Sequence, residues 1–415
     1  MRALRFCVLP LLAATACTLA DAQPTADRAL LDRARALLAD TPLIDGHNDL
    51  PWAMREGSWY DFDTSDIAQA QPQLMTDIPR LKSGRVGAQF WSVYVPATLQ
   101  GDHAVAATLE QVDAVYEMVR RYPQTFALVR SADELEAAFG AGKVASMMGI
   151  EGGHSIDASL GTLRMFHRLG VGYMTLTHSA NVPWADAATG DPTSDGLSPF
   201  GEEIVREMNR LGMLVDLSHV APSTMGDAIR VSAAPVIFSH SSARALCDVP
   251  RNVPDDILRQ MPGNGGVVMV TFVPGFISQE VADYNRRTQA QQLLLRSQHG
   301  NNDAAAKALA EWRTANPEPR ATLAQVADHI DHIRKVAGVD HIGLGGDFDG
   351  ITAVPVGLED VSTYPALVAE LLRRGYSDGD VSKIVGGNML RVMRRAEQVA
   401  AELQRTATPS RQRLP

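Results

Sequence analysis

A closed barrel of eight parallel β-strands, each followed by a helix, is the fold this sequence predicts, and three observations predict it. Short apolar or β-branched runs recur eight times, helical patterns lie between most of them, and ionisable side chains gather where the runs end. Strands alternating with helices imply parallel pairing, and eight such units imply a (β/α)8 closure, the TIM barrel. An open doubly wound sheet is the runner-up.

Taken in chain order, residues 1–22 read as a secretory signal. Arg2 and Arg5 precede the apolar run 6–16, and Ala20-Asp21-Ala22 offers a small-x-small cleavage site before Gln23. That run is too short for a spanning helix, and no later stretch reaches the roughly 18–20 apolar residues that one needs. The mature chain is therefore expected in the periplasm or secreted, with no transmembrane segment. Lipoprotein anchoring through Cys17 is the alternative, disfavoured because Ala14-Thr15-Ala16 lacks the large aliphatic residue such sites carry. Cys7 and Cys17 lie in the signal, so Cys247 is left alone, no intrachain disulfide can form, and it reads as a small buried residue rather than a nucleophile.

Residues 23–405 are expected to form one barrel domain. A helix at 26–39 leads into strands at 42–47, 86–95, 144–150, 172–178, 213–219, 235–240, 266–272 and 341–347. Helical periodicity fills 103–121, 131–139 with Ser131 and Glu134 as a capping box, 160–169 and 201–211. Segment 277–319 is polar and rich in Gln, Arg and Ala, and it separates the seventh strand from a helix at 323–336. It reads as a helical insertion on the catalytic side of the barrel and a candidate lid. The polar tail 406–415 is expected to be disordered. Lys plus Arg number 38 against 48 Asp plus Glu, so the formal charge is 38 − 48 = −10, which argues against nucleic acid as a partner because that needs clustered basic charge.

The functional argument rests on where the ionisable groups fall. His47 and Asp49 end the first strand, Glu151 the third, His178 the fourth, His219 the fifth, His240 the sixth and Asp347 the eighth. A barrel brings all of these to its C-terminal mouth, where active sites of this fold sit. One histidine at a strand end is usually structural, whereas four of the 11 histidines at such ends, with carboxylates completing the ring, point to metal chemistry. Residues i and i+2 of a strand share a face, so His47 and Asp49 can hold one ion together. His219 and His240 would then hold a second, with Glu151 between them as a bridge at the ~3.5–4 Å separation of two-metal hydrolytic sites. Nitrogen and oxygen ligands without thiolate suit Zn2+ best and admit Mn2+ or Co2+.

The segments Ile44-Asp45-Gly46-His47-Asn48-Asp49-Leu50-Pro51-Trp52, Gly149-Ile150-Glu151-Gly152-Gly153-His154, Leu176-Thr177-His178-Ser179, Val215-Asp216-Leu217-Ser218-His219, Phe238-Ser239-His240-Ser241, Arg251-Asn252-Val253-Pro254-Asp255-Asp256 and Gly345-Gly346-Asp347-Phe348-Asp349-Gly350 together resemble the membrane (renal) dipeptidase family. The family consists of dizinc peptidases within the amidohydrolase-type barrels, and its motifs fall here in family order along nearly the whole mature chain. The resemblance implies two Zn2+ per chain, His47 and Asp49 on one, His219 and His240 on the other, bridged by Glu151 and a hydroxide that attacks the peptide carbonyl. It implies that His178 contacts the scissile carbonyl, that Arg251 holds the free carboxylate of a dipeptide, and that Asp347 handles the proton. His154 and Asp349 match the motifs without an assigned role and are candidates for supporting the ligands. It further implies dipeptide substrates, tolerance of a D-residue at the second position, opening of β-lactam rings, and homodimers as one form of assembly.

Two features depart from the mammalian membrane forms: the C-terminus is polar rather than hydrophobic, and segment 277–319 is long. Deaminases and phosphotriesterases on the same barrel are rivals, disfavoured because they carry His-x-His on the first strand and often a bridging lysine, whereas this chain has His47-Asn48-Asp49 and Glu151. A non-catalytic binding barrel is the other rival, disfavoured because every proposed ligand is present.

Overall fold

The computed structural model describes residues 19–300 and 303–414. Nine parallel strands follow one another along the chain: β1 (Leu43–Asn48), β2 (Val86–Ser92), β3 (Phe126–Leu128), β4 (Val144–Glu151), β5 (Val171–Thr175), β6 (Leu214–Asp216), β7 (Ile237–Phe238), β8 (Val267–Val270) and β9 (Ile342–Leu344). β1 pairs with β2 and β9, β2 pairs with β4, and the order continues β4–β5–β6–β7–β8–β9, so the sheet closes on itself. β3 pairs only with the first half of β4 and stands outside the ring, which leaves a closed (β/α)8 barrel of the eight expected strands.

These strands were recognisable because a parallel barrel is covered on both sides and needs apolar residues in succession. Every residue of β1, β2 and β4 is buried. Along β4, Ala145 and Met147 join a cluster with Ile44, Phe90, Tyr173, Ile237 and Met269, whereas Met148 and Ile150 join the larger cluster shared with the helices. Alternate side chains thus fill the barrel and seal it to its helical coat. The last helix, Asn388–Thr406, adds Met389, Val392 and Met393 to the interior cluster.

The helices follow the expected periods with small changes at their ends. The first runs over Leu19–Asp40, so the expected signal 1–22, Cys17 included, lies outside the described residues except for this helix's first residues. Helix Ala132–Gly140 has Ser131 as its N-cap, accepting from Glu134 N, but the expected capping box is only half formed. The Glu134 carboxylate instead accepts from Arg130 N at 2.7 Å. A complete box closes helix Leu323–Val336, where Thr322 and Gln325 cap each other. Insertion 277–319 is helical as expected, with Gln279–His299 and Asp303–Ala315 joined by Tyr284 stacked on Trp312 at 5.9 Å. The polar tail lies on the barrel's coat: Ser410 O accepts from Arg164 and Ser410 N donates to Glu207.

One contact inside the barrel sets up the site above it. A Cβ at Gly149 would lie 2.0 Å from the Tyr173 ring, so glycine there makes the room that the ring occupies. Gly149→Ala should cost about 1–3 kcal/mol by overpacking, read as a lower urea midpoint with an unchanged slope. A variant as stable as the parent would show that the Tyr173 ring has somewhere else to go.

Candidate metal centre and active site

All the sequence-predicted residues meet at the C-terminal mouth. The strands are shorter than expected at this end, so several ligand candidates stand on the loops just past them: His178 after β5, His219 after β6, His240 after β7 and Asp347 after β9. His47 lies within β1, and Glu151 is the last residue of β4. Backbone conformation turns the side chains inward: His219, Asp347 and Asp349 have φ of 69°, 62° and 66°. A left-handed conformation at non-glycine residues costs of order 1–3 kcal/mol and persists only where the surroundings enforce it.

Glu151 is the centre of the group. Its Oε1 lies 2.9 Å from His219 Nε2, 3.4 Å from His240 Nε2 and 3.7 Å from His178 Nε2, while its Oε2 lies 3.6 Å from His47 Nε2. His47 Nε2 is also 3.2 Å from Asp49 Oδ2 and 4.0 Å from Asp347 Oδ1. Three overlapping sets can therefore each hold an ion: His47 with Asp49 and Asp347, His47 with Glu151 and His240, and Glu151 with His178 and His219. His47 and Asp49 meet as the i and i+2 spacing predicts, Glu151 is shared by two of the three sets, and His219 and His240, expected on one ion, fall in different sets.

The donor set fits cations on two further counts. His47 Nε2 and Asp49 Oδ1 are buried and have no hydrogen-bond partner among the described residues, while His219 Nε2 and His240 Nε2 face each other at 2.9 Å. Electrostatics agrees. Burial drives Asp347 well above the usual carboxylate range, with Asp49 and Glu151 adding to it against His47. Burial alone would make His47 harder to protonate, yet Tyr173, Asp49 and Glu151 outweigh it and hold its pKa well above the ordinary value. With only protons at hand, a cluster this rich in carboxylates must gather them; divalent cations supply the same positive charge. His219 and His240 are pushed the other way, first by burial and then by charged neighbours that include Arg251, and so stay neutral with a lone pair to give.

Around this cluster lies a cavity of about 390 Å³ whose walls include Trp52, Tyr94, His178, Arg251, Phe276 and Asp347. Arg251 is only 6% exposed, its Nη2 reaches His240 O at 3.5 Å, and its Nη1 has no hydrogen-bond partner among the described residues. Burial lowers its pKa to about 10, which leaves a cation at neutral pH facing the cavity. Tyr94 packs edge-on against His178 at 5.0 Å and against Trp52 at 5.0 Å. His154 is turned away from the cluster, with Nε2 3.1 Å from Val95 O. Asp349 accepts from Met75 N at 2.7 Å, and burial raises its pKa to about 6.

Sequence reasoning missed the groups that hold the ligands. Tyr173 OH lies 3.0 Å from His47 Nδ1, and Ser239 Oγ lies 2.8 Å from His240 Nδ1. Tyr173 lies in β5 and Ser239 just past β7, within a motif already noted, but a hydroxyl there carries no signal of its own.

A family model described as membrane dipeptidase (peptidase family M19) matches residues 31–407. Dipeptidase 3 of Rattus norvegicus is 43% identical over 381 residues, covering 90% of this chain and 69% of its own. A metallopeptidase structure from Rhodobacter sphaeroides, liganded with a phosphinate mimic of the dipeptide L-Ala-D-Ala, aligns with a TM-score of 0.72 and 25% identity over 86% of this chain and 99% of that one. A probable dipeptidase from Pseudomonas aeruginosa shares the fold with a TM-score of 0.77 at 24% identity, covering 90% and 100%.

Gly350 tests the packing of the centre. A Cβ there would lie 2.2 Å from Asp49 Oδ2 and 2.6 Å from Asp347 Oδ1. Gly350→Ala should displace both carboxylates and lower kcat/KM for dipeptides by about 10²-fold, the scale of an ångström's misplacement, while the unfolding midpoint stays near that of the parent. Undiminished turnover would mean that neither carboxylate needs its present position.

Proposed function

The chain belongs to the membrane dipeptidase family, peptidase family M19, a family of metallopeptidases acting on peptide bonds, and from that premise we propose a dizinc dipeptidase whose substrates carry a free C-terminal carboxylate. The buried guanidinium of Arg251, with Nη1 unpartnered beside the metal-ligating cluster, is the observation that carries this reading. His47 and Asp49 would hold one zinc ion, His219 and His240 the other, and Glu151 both. When bound, the ions would polarise the scissile carbonyl and make water a stronger acid.

The protein's own groups divide the remaining work. Arg251 pairs both oxygens of the terminal carboxylate in its fork, which fixes the substrate's length from that end. His178, 17% exposed in its side chain and on the cavity wall, donates to the carbonyl oxygen as negative charge develops there. Asp347, whose burial favours its protonated form, receives the proton lost by the attacking water and returns it to the leaving amine, a general acid–base role worth roughly 10²- to 10⁴-fold. The dipeptide mimic held by the Rhodobacter sphaeroides relative supports a D-residue in second place as a substrate of this chain too. Ring opening of β-lactams, homodimer formation and export after removal of residues 1–22 belong to the same reading. No helix among the described residues is long and apolar enough to cross a membrane.

Release of amino acids from a panel of dipeptides, including one with a D-residue second, is expected to need two metals per chain and to stop with chelator. Cleavage of C-terminally amidated dipeptides at the same rate would sink the role of Arg251. Arg251→Lys should raise KM about 10- to 100-fold, the worth of a charge-assisted pair at 1.5–3 kcal/mol, with a smaller change in kcat.

A further inference from the structure

An imidazole binds a cation only through a nitrogen that carries a lone pair, so the side on which a ring keeps its proton decides whether it can act as a ligand. For His240 that side is set by its neighbours. Its Nδ1 lies 2.8 Å from Ser239 Oγ, a hydroxyl with a single proton to give. Asp216 claims that proton: Ser239 Oγ donates to Asp216 Oδ2 at 2.7 Å. The same carboxylate accepts from Thr175 Oγ1 at 2.5 Å through Oδ2, and from Ser239 N at 2.8 Å and Ser218 N at 3.1 Å through Oδ1. Four donors on one fully buried carboxylate make Asp216 an acceptor only. The hydroxyl's other neighbour, Ser218 Oγ at 3.5 Å, also draws the proton away from His240.

Ser239 Oγ thus turns a lone pair toward His240, Nδ1 must carry the ring's proton, and Nε2 is left bare. Nε2 is the nitrogen that faces His219 Nε2 at 2.9 Å and Glu151 Oε1 at 3.4 Å. Across the barrel Tyr173 has the same arrangement, its hydroxyl donating to Gly46 O at 3.2 Å while standing 3.0 Å from His47 Nδ1. His219 Nδ1 and His178 Nδ1, by contrast, have no hydrogen-bond partner among the described residues.

We infer that Asp216 is a positioning residue which, through the hydroxyl of Ser239, fixes His240 in its ligating tautomer before any cation binds. The inference about the proton stands on hydrogen-bond geometry alone; its consequence for zinc rests on the metal reading given above. Asp216→Asn makes the sharpest test because it keeps the shape and reverses one polarity. Backbone N–H groups cannot turn, so the amide oxygen must face Ser218 N and Ser239 N, and the new NH2 then faces the Ser239 hydroxyl. That hydroxyl must now accept from residue 216 and donate to His240 Nδ1, which moves the ring's proton to Nε2.

In metal-free protein labelled with 15N-histidine, long-range 1H–15N spectra at neutral pH should show His240 as the Nδ1–H tautomer. Asp216→Asn should show it as Nε2–H, Ser239→Ala should show a mixture, and Ser239→Thr should restore the parent pattern. Competition with a chromogenic chelator should find one of two zinc ions bound about 10- to 100-fold more weakly in Asp216→Asn and Ser239→Ala, the scale on which supporting hydrogen bonds act. An Nε2–H tautomer in the parent, or Nδ1–H persisting undiminished in Ser239→Ala, overturns the inference even where Asp216→Asn fails to fold. The expected tautomers in a protein that takes up no zinc would leave the relay standing and overturn the metal reading instead.

Discussion

Where a parallel strand ends, backbone N–H groups on it and on its neighbour lose the carbonyls they would have bonded, and in this barrel two buried carboxylates take those donors. Asp45 Oδ1 accepts from His47 N and from Gly346 N, tying β1 to the residues just past β9. Asp216 Oδ1 accepts from Ser218 N and Ser239 N, joining the ends of β6 and β7. Buried backbone donors must be satisfied somewhere, and side-chain acceptors let the ladder stop early without leaving orphans. Only because it stops can the chain leave strand geometry, take the left-handed turns at His219 and Asp347, and swing their side chains over the barrel. Asp216 is the last residue of β6 and His219 follows it on the loop, whereas Asp45 and His47 both lie within β1, so the second carboxylate caps a strand end and the first ties a strand to the turn beyond its neighbour.

The same economy of burial governs the charges. Asp49 and Asp347 lie beside His47, Glu151 stands between His47 and the pair His219 and His240, and Arg251 acts on that pair. His47 is driven toward its charged form and His219 and His240 toward their neutral forms, in each case with burial as the largest influence and the local charge deciding how far it prevails. A single histidine-rich mouth therefore holds two unlike halves. One half draws positive charge to itself and the other keeps its imidazoles neutral with lone pairs to give, and each of these suits a cation.

How much of this was legible in the sequence depended on whether a residue's role left a pattern. All eight barrel strands could be read because burial on both faces forces apolar runs, while β3 could not, being three residues long and paired along half of one neighbour. Strand ends were placed too late at β5, β6, β7 and β9, because the residues beyond them are as buried as the strands themselves and differ only in backbone angle. Ligand candidates stood out as charged groups at the ends of apolar runs. Tyr173, Ser239 and Asp216 did not, since a hydroxyl or carboxylate at a strand end or inside an apolar run gives no hint of which atom it faces until the chain is folded. The Ser131 cap was legible but the return bond from Glu134 was not, since Arg130 N competes for the same carboxylate.

The insertion gains its meaning from where these constraints leave open space. Helix Gln279–His299 walls a second cavity of about 580 Å³, and Arg251, Val273, Phe276, Gly350 and Ile351 are common to its lining and that of the metal site. The Arg251 guanidinium lies 5.3 Å from the centroid of the Phe276 ring, so a cation and an apolar face stand together at the boundary between the two spaces. A carboxylate seated on Arg251 would place the substrate's last backbone atoms at that boundary. Extending the chain past it would replace the charge that Arg251 binds with a neutral amide and leave a buried guanidinium without its partner, a loss on the scale of an unpaired buried ion. Side-chain bulk faces no such penalty, because Asn285 and Gln289 on the insertion present polar groups and room rather than a fixed counter-charge. With a carboxylate so seated, charge rather than volume would limit extension beyond the C-terminal residue.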